Sequence, residues 1–123
     1  MSIVGAEVTQ LRFDFAFSIA FDATAEARIE TTFSVSTPAG HTEVFDPDKD
    51  LAQMGPLLTL HQTKIVSADA DETGHLNLHF SDGRQLDCAP DPDYEAWTFN
   101  GPDGLQLVAM PGGGLAVWGG MPD

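Results

Sequence analysis

From Leu11 to Phe21 the side chains alternate without a break. Leu11, Phe13, Phe15, Phe17, Ile19 and Phe21 occupy the odd positions, and Arg12, Asp14, Ala16, Ser18, Ala20 and Asp22 the even ones. A period of two is the period of a β-strand, whose successive side chains point to opposite faces, and no helix has it. An apolar face that long needs a second layer to cover it, so the chain is expected to build itself around a sheet. Val8 to Phe21 exceeds the usual strand of about five or six residues, so a bend, a bulge or a division into two strands is expected near Phe13 to Phe15.

After the turn Asp22-Ala23-Thr24 the alternation resumes with Ala27, Ile29, Thr31, Phe33 and Val35, an antiparallel partner by spacing, and Thr37-Pro38-Ala39-Gly40 ends it. His41 to Asp50 reads as irregular and acidic. Asp48 is expected to cap a short helix, the only one in the chain, reaching His61 with Leu51, Met54, Leu57 and Leu58 at helical spacing. Gly55-Pro56 limits it to between one and three turns, because proline inside a helix removes a hydrogen bond and clashes with the preceding turn.

Lys64 to Ala70 and His75 to Phe80 read as strands joined by Asp71-Glu72-Thr73-Gly74. The next connection can be derived. A two-residue Asp82-Gly83 loop would set Phe80 opposite Gln85, mixing apolar and polar on one face. A three-residue Ser81-Asp82-Gly83 loop with Gly83 left-handed pairs Leu78 with Leu86 and Leu76 with Cys88, and is predicted. Tyr94 to Phe99 and Leu105 to Met110 flank Asn100-Gly101-Pro102-Asp103-Gly104, which sets Phe99 against Leu105 and Trp97 against Leu107. Leu115 to Trp118 is the last strand, and residues 119–123 are expected to fray. Phe17-x-Ile19-x-Phe21 followed by Ile29-Glu30 echoes Leu76-x-Leu78-x-Phe80 followed by Leu86-Asp87, with spacings that differ by two residues. A duplication and the shared physics of alternating hairpins both account for that.

A chain of 123 residues fits one domain over its whole length. The expected class is α+β, mostly β: one strongly twisted, mainly antiparallel sheet or partly open barrel of about seven or eight strands with one short helix. Its expected core is Phe15, Phe17, Ile19, Phe21, Ile29, Phe33, Leu57, Leu60, Leu76, Leu78, Phe80, Leu86, Trp97, Phe99, Leu107 and Val117.

Five Lys and Arg against nineteen Asp and Glu give a formal charge of −14, which repels phosphate backbones and anionic membranes. Nucleic acid and membrane are therefore not expected partners, whereas a basic protein is. The single cysteine, Cys88, rules out an internal disulfide, and Met1-Ser2-Ile3-Val4-Gly5 lacks the basic and apolar regions of a signal peptide. A cytoplasmic location is the expectation.

Three acidic clusters, Asp46-Pro47-Asp48-Lys49-Asp50, Asp69 to Gly74 and Asp91-Pro92-Asp93-Tyr94-Glu95, have oxygen ligands at alternate positions. The second matches the opening of a calcium loop, but Phe80 stands where a bidentate Glu is required, so Asp as a turn former is the simpler reading. His75 and His79 share a strand face about 13 Å apart, too far to bind one metal. Cys88 faces inward beside Leu76, away from both histidines, as a small apolar group. Gly112-Gly113-Gly114 precedes a strand rather than the helix a phosphate loop needs. No catalytic, cofactor or metal set emerges. The remaining candidate is an interaction or ligand patch of Asp91, Asp93, Tyr94, Glu95, Trp97 and Trp118.

Tyr94-Glu95-Ala96-Trp97 and Pro111-Gly112-Gly113-Gly114-Leu115-Ala116-Val117-Trp118, preceded by Leu76-x-Leu78-x-Phe80-x-Asp82-Gly83-x-x-Leu86, resemble a family of small bacterial proteins of unknown function. The resemblance implies a short β-rich single domain and no activity. The expected function is a non-enzymatic protein-binding module, immunity-type or regulatory, that meets a basic partner through its acidic face. The alternative is a small-ligand or divalent-metal-binding protein, an enzyme among the options, using Asp91, Asp93 and Glu95. A homodimer through a sheet edge or the Trp118 region is favoured by exposed edges and opposed by the net charge.

Overall fold

The computed structural model describes residues 3–22 and 24–119. Among these, eleven strands form two antiparallel sheets, and no helix is long and apolar enough to cross a membrane. The long alternating stretch divides into β1 (Val8–Phe13) and β2 (Phe17–Phe21), which pair as a hairpin with a bulge between Val8 and Gln10. Asp14 makes the reversal, its carboxylate accepting the Ala16 N–H at 2.8 Å. Phe15 is thereby placed at the tip of a turn and is 82% exposed, which corrects its assignment to the core.

The second alternating stretch is also two strands rather than one. β3 (Ala25–Ile29) pairs with β2, and after Glu30-Thr31-Thr32 the chain crosses to the other sheet as β4 (Phe33–Ser36). Ile29 and Phe33 keep the same phase because both face the core, one from each sheet. β5 (Thr42–Phe45) pairs with β4 in a segment expected to be irregular. β6 (Ile65–Ala70), β7 (Leu76–Phe80) and β8 (Gln85–Cys88) form a meander. The chain then returns to the first sheet as β9 (Trp97–Asn100), β10 (Gln106–Ala109) and β11 (Leu115–Trp118). The six-stranded sheet has the order β1-β2-β3-β9-β10-β11, and the five-stranded sheet β5-β4-β8-β7-β6. The single sheet or barrel of fewer strands is thus corrected to two open sheets packed on a shared core.

The expected helix is corrected too. Asp48 caps nothing; instead two 3-10 turns, Leu51–Gln53 and Gly55–Leu60, follow β5. Pro56 sits at the start of the second, where its missing N–H costs nothing. Met54, Leu57 and Leu60 are buried and Leu51 and Leu58 exposed, a spacing of three that fits the three residues per turn of a 3-10 helix.

The Ser81-Asp82-Gly83 loop has the expected register, with Leu76 opposite Cys88, Leu78 opposite Leu86 and Gly83 at φ 91°. The following hairpin does not. Pro102–Gly104 coils into a 3-10 turn closed by the Gly101 N–H on the Leu105 carbonyl, so Phe99 faces Leu107 rather than Leu105. Apart from Phe15 and Val117, every residue expected in the core is buried. Val117 is 58% exposed because β11 is an edge strand, the sixth of a sheet that packs on one of only five. Ala16, which the alternation puts on the side of Arg12 and Asp14, is buried. Phe17 of the first sheet stacks on Phe33 of the second with ring centroids 5.3 Å apart, and the Trp97 indole N–H donates to the Gly74 carbonyl at 2.9 Å across the same interface. The tail expected to fray lies, from residue 120 on, outside the described residues.

The two echoing hairpins occupy equivalent places. β1-β2-β3 is continued by β9-β10 from the other half of the chain, and β6-β7-β8 by β4-β5, so each three-strand meander borrows its neighbouring hairpin from the opposite half. The correspondence extends to detail: the bulge at Val8/Gln10 matches that at Ile65/Ser67, and the turn Thr37-Pro38-Ala39-Gly40 matches Gly101-Pro102-Asp103-Gly104. Where the halves meet, Glu7 bridges Lys64, and reciprocal bonds run from Val8 N to Thr63 O, Ile65 N to Ala6 O, Gln62 N to Val8 O and Gly5 N to Ile65 O. A pseudo-two-fold relation therefore passes between β1 and β6, with β11 left over.

Candidate functional site

The two crossings between the sheets, Glu30-Thr31-Thr32 and the link from β8 to β9, are counterparts under this pseudo-symmetry and lie side by side. The Thr31 hydroxyl donates to Asp91 Oδ2 at 2.9 Å, and the Glu30 N–H to the Ala96 carbonyl at 2.8 Å. Beside them a cleft of about 380 Å3 is lined by Phe15, Glu30, Thr31, Thr32, Asp46, Asp48, Lys49, Asp91 and Tyr94. Two acidic clusters that are far apart in sequence thus converge on one opening, with exposed Phe15 and Tyr94 at its rim.

Asp91 is held by its own turn. Its Oδ1 accepts the Asp93 N–H at 2.9 Å, and this bond, with the Thr31 hydroxyl, keeps its carboxyl below the usual value of 3.8 against a smaller effect of burial. Asp46 makes the same kind of turn, accepting the Asp48 N–H at 2.9 Å, while its own N–H donates to Asp50 Oδ2 at 2.8 Å. Asp71 accepts the Thr73 N–H, the Thr73 hydroxyl and the His75 N–H. All three clusters are therefore built as aspartate turns. Among the described residues, no three His, Cys, Asp or Glu side chains are placed to hold a metal ion.

Of the six patch residues, the structure brings Asp91 and Tyr94 into the cleft. Asp93 and Glu95 are exposed on the same link but do not line it. Trp97 is a core residue, 1% exposed, and Trp118 stands on edge strand β11 opposite Gln106, 51% exposed. Phe15, Glu30 and Asp48 were missed as site residues. Asp14 directly before Phe15 was the available sign, because Asp inside an alternating run marks a turn. Cys88 Sγ lies 3.9 Å from the Thr32 carbonyl, and burial, helped by the Asp91 charge, pushes its thiol up to about 12. The thiolate is thereby disfavoured at neutral pH.

Ion pairing takes up Glu30 of the cleft, through Arg28, and among the described residues leaves Asp46, Asp48 and Asp91 without a salt bridge. Arg12 pairs with Glu26, Arg28 with Glu30 and Asp14, and Arg84 with Asp82, so three of the five cations are already engaged. Lys49 is the one cation lining the cleft. A second depression of about 370 Å3, among Gln10, Arg12, Asp22 and Glu26, contains the Arg12–Glu26 pair, which leaves Asp22 as its one carboxylate outside that pair.

No curated protein and no solved structure matches the chain. A family model does match, over residues 1–119, and the chain belongs to that family, a family of unknown function (DUF6188).

Proposed function

We propose that this chain is a non-enzymatic binding module that receives a cationic segment of a basic protein partner in the cleft between Phe15 and Tyr94. The observation that carries the reading is Phe15, a large apolar ring 82% exposed at the rim of an opening lined by Asp46, Asp48 and Asp91. An exposed ring beside carboxylates suits Arg and Lys side chains, whose stems pack on the ring while their heads meet the charges. The net charge of −14 would speed encounter with such a partner.

Capture of partners from lysate, followed by titration of the captured protein, tests this. Affinity is expected to fall at least about tenfold between low salt and about 0.5 M salt, where exposed charges are screened. Phe15→Ala and Asp91→Asn should each weaken it by about fivefold or more. Binding that ignores salt and both substitutions would overturn the reading. The volume of about 380 Å3 also suits a small cationic ligand reaching Asp91, the one of Asp91, Asp93 and Glu95 that lines the cleft, or a divalent ion that draws part of its coordination from the ligand or solvent. Thermal shift decides that branch, since a ligand at a hundred times its Kd adds about 2.7 kcal/mol.

A further inference from the structure

The pseudo-two-fold relation exposes one asymmetry. β10 is flanked on its outer side by β11, but β5, its counterpart, has no described strand beyond it and forms the free edge of its sheet. In the β4–β5 hairpin the Thr37 N–H donates to the His41 carbonyl at 2.7 Å, which makes Thr37 and His41 a bonded pair. By antiparallel alternation His41, Glu43 and Phe45 then face β4, while Thr42 and Val44 turn their N–H and C=O groups outward. The equivalent outward positions on β10 are Gln106 and Val108, which pair with Trp118 and Ala116 of β11. Side-chain burial agrees: Val108 is 4% exposed, and Val44, its counterpart, is 63% exposed.

We infer that the edge of β5 is a strand-acceptor site, and that its occupant is an extended basic segment of the partner, pairing antiparallel as β11 pairs with β10. The position has the geometry of a strand because the other half of the same chain fills its equivalent with one. The choice of a basic segment rests on the proposed function and on charge: exposed Glu43 lies on β5, and Asp46 and Asp48 of the acidic cleft follow it directly. A second copy pairing β5 to β5 would instead bring these same carboxylates together. Because the Asp46 N–H is already bonded to Asp50, the incoming strand gains main-chain bonds only at Thr42 and Val44, and its lysines must supply the rest of its affinity from the cleft.

Two peptides of equal charge test this on the intact protein: one of alternating lysine and valine, and one of alternating lysine and proline, which cannot extend a ladder. Saturation with the Lys-Val peptide is expected to slow hydrogen exchange at the Thr42 and Val44 amides by at least about tenfold, and saturation with the Lys-Pro peptide to leave them unchanged. Val44→Pro removes only an outward N–H on an edge strand, and should weaken Lys-Val binding by about fivefold or more without changing Lys-Pro binding. Equal binding of both peptides with no protection at β5 overturns the strand inference while leaving the acidic-cleft reading standing. Failure of both peptides to bind overturns the two together. Protection of Thr42 and Val44 in the free protein that grows with its concentration assigns the edge to a second copy and also overturns the inference.

Discussion

At the residue scale, the two tryptophans show how little residue type says about role. Trp97 lies in the core and spends its indole N–H on the buried Gly74 carbonyl, joining the two sheets. Trp97→Phe would leave that carbonyl unpaired and a gap beside it, and is expected to lower unfolding stability by about 2 to 3 kcal/mol. Trp118→Ala, at a half-exposed edge, should cost under about 1 kcal/mol, and chemical denaturation of both variants checks the contrast. Cys88 gives a second prediction. A thiol raised from 9.0 to about 12 by burial favours the protonated native state, so its stability contribution is complete below pH 9.0 and is lost as pH rises toward 12. Thiol labelling of the native protein at pH 8 should therefore be limited by unfolding and match the rate of global opening, whereas labelling as fast as a free cysteine would contradict the burial.

At the element scale, the equivalence of the halves makes one position conspicuous. Gly5 and Gln62 make reciprocal bonds across the seam and both have positive φ, 89° and 73°. Glycine adopts that conformation freely, and glutamine does so against the contact of its Cβ with its own backbone. Gln62→Gly is therefore expected to stabilise the protein by about 0.5 to 1 kcal/mol, read as an increase in the denaturant midpoint at unchanged slope. A loss of stability would show that the Gln62 side chain contributes more than its backbone costs. The same scale explains the register error at Asn100 to Gly104. Counting loop residues assumes an extended connection, but Pro102 and Gly104 coil it and draw Leu105 into the turn.

At the scale of the whole molecule, four turn carboxylates link the fold to acid pH. Asp14, Asp71, Asp82 and Asp91 all have lowered carboxyl values. For Asp14 the main cause is the Ala16 N–H, for Asp71 the Thr73 hydroxyl and for Asp91 the Asp93 N–H, while for Asp82 the Arg84 bonds outweigh burial acting in the opposite direction. Depressed carboxyls stabilise the native state above 3.8, and that contribution disappears as pH falls through each folded value. The contribution of these carboxyls to thermal stability should thus be intact from neutral pH down to about pH 4 and be lost below it. In the opposite direction, salt should raise stability at pH 7 by screening the excess of negative charge, and a salt-induced decrease would mean that the ion pairs outweigh the repulsion.

The sequence by itself determined that the chain is built of antiparallel strands, several of its turns and most of the core, because period-two alternation and Asp, Gly and Pro at reversals act through neighbours only a few residues away. The buried set from Phe17 to Leu107 and the Leu78–Leu86 register follow from that local physics. Only the tertiary structure decided which sheet each strand joins. Ile29 and Phe33 have the same phase whether the chain runs on or crosses between layers, so alternation is silent about the break at Glu30 to Thr32. Phe15 was misplaced for the same reason, since a turn tip and a strand interior share the period. The cleft itself was out of reach of the sequence: it exists because two distant crossings are brought side by side by the pseudo-two-fold packing, which puts Asp46 and Asp48 next to Asp91 through long-range contacts that no local pattern encodes.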